Sequence, residues 1–184
     1  MKKKLLVILI CLGMLFCLSG CDSVKKAQED FDKSVEKHGF VQKETVDVLV
    51  AKFNTLVVDN SSLNPASTDY LTESDNQYWY GLVDGIYLVV VPEKYTGDKT
   101  SEIVNYMLLY VNKNGKYLDD AKMYLKYLIK ANNNQIIDSE VDELLEEAKL
   151  KPNSGETANN GKGISIGFTE NNEIYQYQVL RLYK

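Results

Sequence analysis

Apolar positions in this chain recur first at helical spacing, then at alternating spacing, and then repeat that order. Val46, Leu49, Val50, Phe53, Leu56 and Val57 fall three and four residues apart, which predicts an amphipathic helix beginning near Glu44. A thinner stripe of Val24, Ala27, Phe31 and Val35, closed by Gly39, precedes it and predicts a charged helical stalk over 22–42. Residues 59–77 lack periodicity. So long a loop is uncommon in a compact domain, which makes Tyr70–Glu73 a candidate short edge strand. Tyr78–Val83 and Ile86–Val91 then flank Asp84-Gly85, a strong hairpin signal. Pro92 ends the second strand, and Glu102–Val111 reads as a third.

Leu118, Ala121, Leu125, Leu128 and Ile129 restore the helical period until Asn132-Asn133-Asn134 stops it. Ser139, with Asp142 three residues on, opens a further helix whose apolar face is Val141, Leu144, Leu145 and Ala148. Lys151–Gly161 reads as a flexible loop. Ile164–Thr169 and Ile174–Tyr183 close the chain as a hairpin around Asn171-Asn172. The predicted order is α-α-β-β-β-α-α-β-β. Hairpin connections predict an α+β domain with a mostly antiparallel sheet of about five strands, helices covering one face.

The N-terminus follows another logic. Lys2, Lys3 and Lys4 precede an apolar run from Leu5 to Leu18, the layout of a secretory signal. As a helix those fourteen residues rise about 21 Å, short of the roughly 30 Å hydrocarbon core. The run ends in Leu18-Ser19-Gly20-Cys21, which resembles the lipobox of bacterial lipoprotein precursors. The resemblance covers residues 1–21 only. It implies that a diacylglyceryl group is attached to the Cys21 thiol and that the chain is cut before Cys21. In some lineages the new amine is acylated as well. The expected organisation is a signal peptide at 1–20, a lipidated N-terminus and stalk at 21–42, and one α+β domain at 43–184. The expected location is the extracytoplasmic face of the cell membrane, held by lipid, since two acyl chains anchor essentially permanently.

Removing residues 1–20 takes three lysines and leaves 18 basic against 26 acidic side chains, a net charge of −8. That balance excludes a basic stripe for nucleic acid and a polybasic hold on anionic lipid. Cys11 and Cys17 leave with the signal peptide and Cys21 carries lipid, so no thiol remains for disulfides or metal. His38 is the only histidine and Arg181 the only arginine. A lone histidine cannot make a metal cluster, no Asp follows it at a spacing that suggests a triad, and no cofactor is implied.

Three motifs are superficially catalytic. Ser34-Val35-Glu36-Lys37, Ser74-Asp75-Asn76 and Lys99-Thr100-Ser101 follow the order of the serine motifs in penicillin-binding proteins. Ser34 falls in the stalk, however, and the third motif lacks its glycine. Gly155–Gly163 has the wrong spacing for a phosphate loop and is followed by a strand. The acids Asp138, Glu140, Asp142, Glu143, Glu146 and Glu147 crowd one helix without a calcium-loop pattern, which fits a solvated face.

The tyrosines are the remaining candidates. Residues two apart on a strand share a face, so Tyr78 with Tyr80, Tyr106 with Tyr110, and Tyr175 with Tyr177 predict a partly exposed array, joined by Tyr87 and Tyr183. The aliphatic set Ile103, Met107, Leu109, Ile174, Leu180 and Leu182 would then face the helices. Tyrosine offers rigid apolar area with a hydroxyl handle, suited to sugars, peptides and proteins. The functional expectation is a non-enzymatic interaction module for a partner protein or envelope component. The alternative is a small-ligand lipoprotein for a solute or sugar, although the chain lacks the length and β-α alternation of a two-lobed binding protein.

Overall fold

A computed structural model describes residues 41–67, 72–74, 76–159 and 161–183. The lipobox with Cys21, the stalk stripe, Ser34, Lys37 and His38 lie outside these residues. The elements run α1 (Val46–Asn60), β1 (Thr72–Ser74), β2 (Gln77–Val83), β3 (Ile86–Pro92), β4 (Val104–Asn112), α2 (Asp120–Asn132), α3 (Asp138–Lys149), β5 (Thr157–Asn159), β6 (Ile164–Glu170) and β7 (Ile174–Arg181). The class is α+β, with one antiparallel sheet ordered β1-β2-β3-β4-β7-β6-β5. It has seven strands where about five were expected. The two beyond those five are three-residue edges: β1 overlaps the candidate edge strand at Tyr70–Glu73, and β5 is too short to carry a periodic signal. One of them, β5, lies inside the segment read as a flexible loop.

Register assigns every strand residue to a face. On one face, cross-strand rows join Tyr78, Val90, Met107, Val179, Ile166 and Ala158, and then Tyr80, Leu88, Leu109, Tyr177 and Phe168. These residues form one apolar cluster with the buried residues of all three helices. α2 lies over β7, α3 over β5 and β6, and α1 beside α2.

Helix ends explain the chain's local choices. The helix at 138–149 begins one residue before Ser139, and Glu140, not Asp142, accepts the Ile137 N–H at 3.0 Å. Asp142 instead pairs with Lys122 at 2.8 Å. The expected apolar face of Val141, Leu144, Leu145 and Ala148 is buried. Gly85 sits at φ +82° in the β2–β3 turn, a conformation that Cβ sterics penalise.

The tyrosine array is corrected by this register. Tyr78 and Tyr80 are 0% and 1% exposed in the helix-packed core, and Tyr175 and Tyr177 also face the helices, half-buried. Of the three tyrosine pairs, only Tyr106 and Tyr110 lie on the opposite face, with Tyr87 beside Tyr110. Ile174 and Leu180, expected under the helices, lie there too. The reason is polar alternation in β7: Gln176 and Gln178 occupy the face without helices, which forces Tyr175 and Tyr177 inward.

Candidate functional site

The second face of the sheet is the most distinctive surface. Its rows are Trp79, Val89, Leu108, Gln178, Gly167 and Thr157; then Gly81, Tyr87, Tyr110, Gln176 and Thr169; then Val91, Tyr106, Leu180, Ser165 and Asn159. None of these positions is charged, in a chain whose residues are 26% charged. No described helix packs here. Tyr87 is 36% exposed, while Tyr106, Tyr110, Gln176 and Gln178 are half-buried.

Four aromatic side chains organise the face. Trp79 on β2 stacks on Tyr110 of β4 across the intervening β3, with centroids 5.1 Å apart and planes 20° from parallel. Gly81, paired with Tyr87, leaves that edge of the face without a side chain. Val89, between the Trp79 and Leu108 positions, is 0% exposed although no described helix covers it. Burial, with the neighbouring Tyr106 phenol second, pushes the Tyr110 hydroxyl above its ordinary pKa. The indole Nε1 is buried without a hydrogen-bond partner among the described residues. Sequence alternation found Tyr106 and Tyr110 but not Trp79 or its stacking. The signal was available: Gln176 and Gln178 mark the solvent side of β7, and pairing carries that assignment across the sheet.

A cleft of about 830 Å³ opens on the helical side, between residues 41–44, α1 and the end of α2. Its charges are already matched. Glu44 pairs with both Lys52 and Arg181, and Lys130 with Asp138. Asn132, buried on its wall, donates from Nδ2 to Leu128 O at 2.6 Å, while its Oδ1 has no partner among the described residues. A second cleft of about 430 Å³ lies between α2, α3 and the sheet, and Tyr175 and Tyr177 line it. Burial pushes the Tyr177 hydroxyl up to about 12, which keeps it neutral.

The serine-type motifs resolve into turns where they are described. Asn76 adopts φ +62° between β1 and β2. The Thr100 and Ser101 hydroxyls donate to Asp98 at 2.6 and 2.7 Å, which together with the Thr100 N–H holds that carboxyl below its ordinary range. The acidic helix is similarly engaged: Asp138 with Lys126 and Lys130, Glu140 with Lys162, and Glu146 with Lys149. Among the described residues no group of three or more His, Cys, Asp or Glu could hold a metal, and no helix is long and apolar enough to cross a membrane.

Comparison with protein-family models, curated proteins and solved structures matches the chain to none of them.

Proposed function

We propose that this chain is a lipid-anchored, extracytoplasmic interaction module, non-enzymatic, whose uncharged aromatic sheet face binds a partner protein or envelope component. The observation that carries the reading is the face itself. Depletion of charge with enrichment of Trp and Tyr distinguishes interface centres from ordinary protein surface, and Trp and Tyr dominate binding hot spots. The anchor rests on the lipobox resemblance at residues 18–21.

The test combines lipid labelling with capture. Cys21→Ala is expected to abolish incorporation of labelled fatty acid and leave the precursor uncleaved; labelled, mature-size Cys21→Ala protein would overturn the anchor. Capture from native membranes with the anchor intact is expected to weaken about 30-fold in Tyr87→Ser, as for the loss of one hot spot of about 2 kcal/mol. Unchanged capture by Tyr87→Ser and Tyr106→Ser together would overturn the face. The unpartnered Asn132 oxygen favours a second reading, a small neutral solute in the 830 Å³ cleft. Saturable solute binding lost in Asn132→Leu and retained in Tyr87→Ser would establish it instead.

A further inference from the structure

We propose that the occupant of the uncharged face is a second copy of this chain, packed sheet to sheet about a two-fold axis. The inference rests on the interaction-module reading and names its partner.

Electrostatics favours a copy of the chain on this face. A mature chain of net charge −8 repels its own copies wherever acidic surfaces approach. In a two-fold contact each copy offers the same patch, so a charge near the axis meets its like and one farther out needs an opposite charge elsewhere on that patch. The rows through Trp79, Tyr87 and Tyr106 carry none, across all the strands they cross. Self-association is therefore free of like-charge pairs on this face and opposed by charge elsewhere.

The face is also large enough. Seven strands at about 4.8 Å spacing, and central strands of seven residues at about 3.3 Å rise, span roughly 30 by 23 Å, or about 700 Å². A standard stable interface buries about 800 Å² per partner. Two faces meeting whole thus reach that class. Sheets pack face to face at about 10 Å with strands within about 30° of parallel, their side chains interdigitating. Trp79, Tyr87, Tyr106 and Tyr110 standing over buried Val89 and Leu108 supply that kind of layer.

Edge-to-edge pairing needs long free edges, and here both edges are three-residue strands. Both clefts described above open on the helical side of the sheet, away from this face. A lipid anchor would hold copies in one membrane plane and raise their effective concentration without any new contact.

The experiment uses the full-length chain in its host membrane, with p-benzoylphenylalanine at position 87 and two co-expressed epitope tags. The expected product on irradiation is an adduct of twice the chain mass bearing both tags. An adduct of another mass overturns the second copy and leaves the interaction face standing. No adduct overturns both. In a second arm, the lipidated protein is sedimented in detergent with and without Tyr87→Glu, a substitution at an exposed position. Wild-type protein is expected at dimer mass, and Tyr87→Glu to self-associate at least 10-fold more weakly while its circular dichroism stays unchanged. Equal self-association, or wild-type protein at monomer mass, overturns the proposal.

Discussion

Trp79 lies on Tyr110 with a whole strand between their backbones, so the two rings bridge β3 above the sheet. Such a pair contributes about 0.5–1.5 kcal/mol beyond its buried area. Tyr110→Leu is therefore expected to lower stability by about 1 kcal/mol in urea titration. Trp79 is the only tryptophan, so its emission reports this stack alone. Removing the Tyr110 ring is expected to shift emission to the red and raise acrylamide quenching. An unchanged spectrum in Tyr110→Leu would show that the indole is shielded by something else.

The two faces make opposite demands on tyrosine. Tyr80 sits in the helix-packed core at 1% exposure, whereas Tyr87 stands 36% exposed. Truncating a buried aromatic costs about 3–5 kcal/mol, whereas an exposed substitution usually stays within about 0.5 kcal/mol. Tyr80→Ala is thus expected to lower the melting temperature by about 6–20 °C for a domain of this size, at about 2–4 °C per kcal/mol. Tyr87→Ala, compared with wild type at a concentration where both are monomeric, is expected to melt within about 2 °C of it. Equal losses at both positions would mean that the register of β2 against β3 is wrong.

What the sequence disclosed follows from where periodicity is redundant. α1, α2, α3 and the long strands each bury several residues at one spacing, so Leu49, Leu125, Leu144 and Met107 identify their own environments. Tyrosine does not, because one side chain serves both core and surface. Alternation in β2 gives Tyr78, Tyr80 and Leu82 on one side and Trp79, Gly81 and Val83 on the other, and neither set is polar. Facing is decided by pairing: Tyr78 meets Val90 and Tyr80 meets Leu88, contacts about ten residues away in sequence. The stacking of Trp79 on Tyr110 spans two strand pairings and had no local signature. β1 and β5 exist only as partners of longer strands.

Acid sensitivity is expected to concentrate at Glu102. It is buried, and burial pushes its carboxyl up. Hydrogen bonds from the Thr96 amide, Tyr78, the Thr96 hydroxyl and the Gly97 amide outweigh that and hold it below the ordinary value. A carboxyl lowered in the folded state stabilises above its unfolded value, and that stability is lost as pH falls through the folded one. Asp138 and Glu140, held low by lysine hydrogen bonds, act in the same direction. Stability should be level near neutrality and decline below about pH 4.5. Glu102→Gln is expected to cost about 1–2 kcal/mol at pH 7, the scale of a weakened charged hydrogen bond, and to flatten the acid limb. A mutant with the wild-type acid slope would place the titration elsewhere.

Arg181 and Glu44 form a buried ion pair. The guanidinium side chain is fully buried. It donates from Nη2 to Gln42 O at 2.9 Å and to Glu44 at 3.2 Å, and it lies 5.2 Å from the Tyr183 ring centroid. Its Nε and Nη1 have no hydrogen-bond partner among the described residues. This contact ties the segment entering α1 to the end of β7, where Val41 also bridges Tyr183. Removing one member of a buried pair costs about 3–5 kcal/mol because the other is left uncompensated, whereas replacing both by apolar groups is often neutral. Glu44→Gln is accordingly expected to destabilise strongly, and Glu44→Leu with Arg181→Met to recover most of the loss. The coupling from a double-mutant cycle in urea is expected to reach about 2 kcal/mol. Additive single losses would show that Arg181 is held by Tyr183 and the Gln42 carbonyl, and that Glu44 serves Lys52 alone.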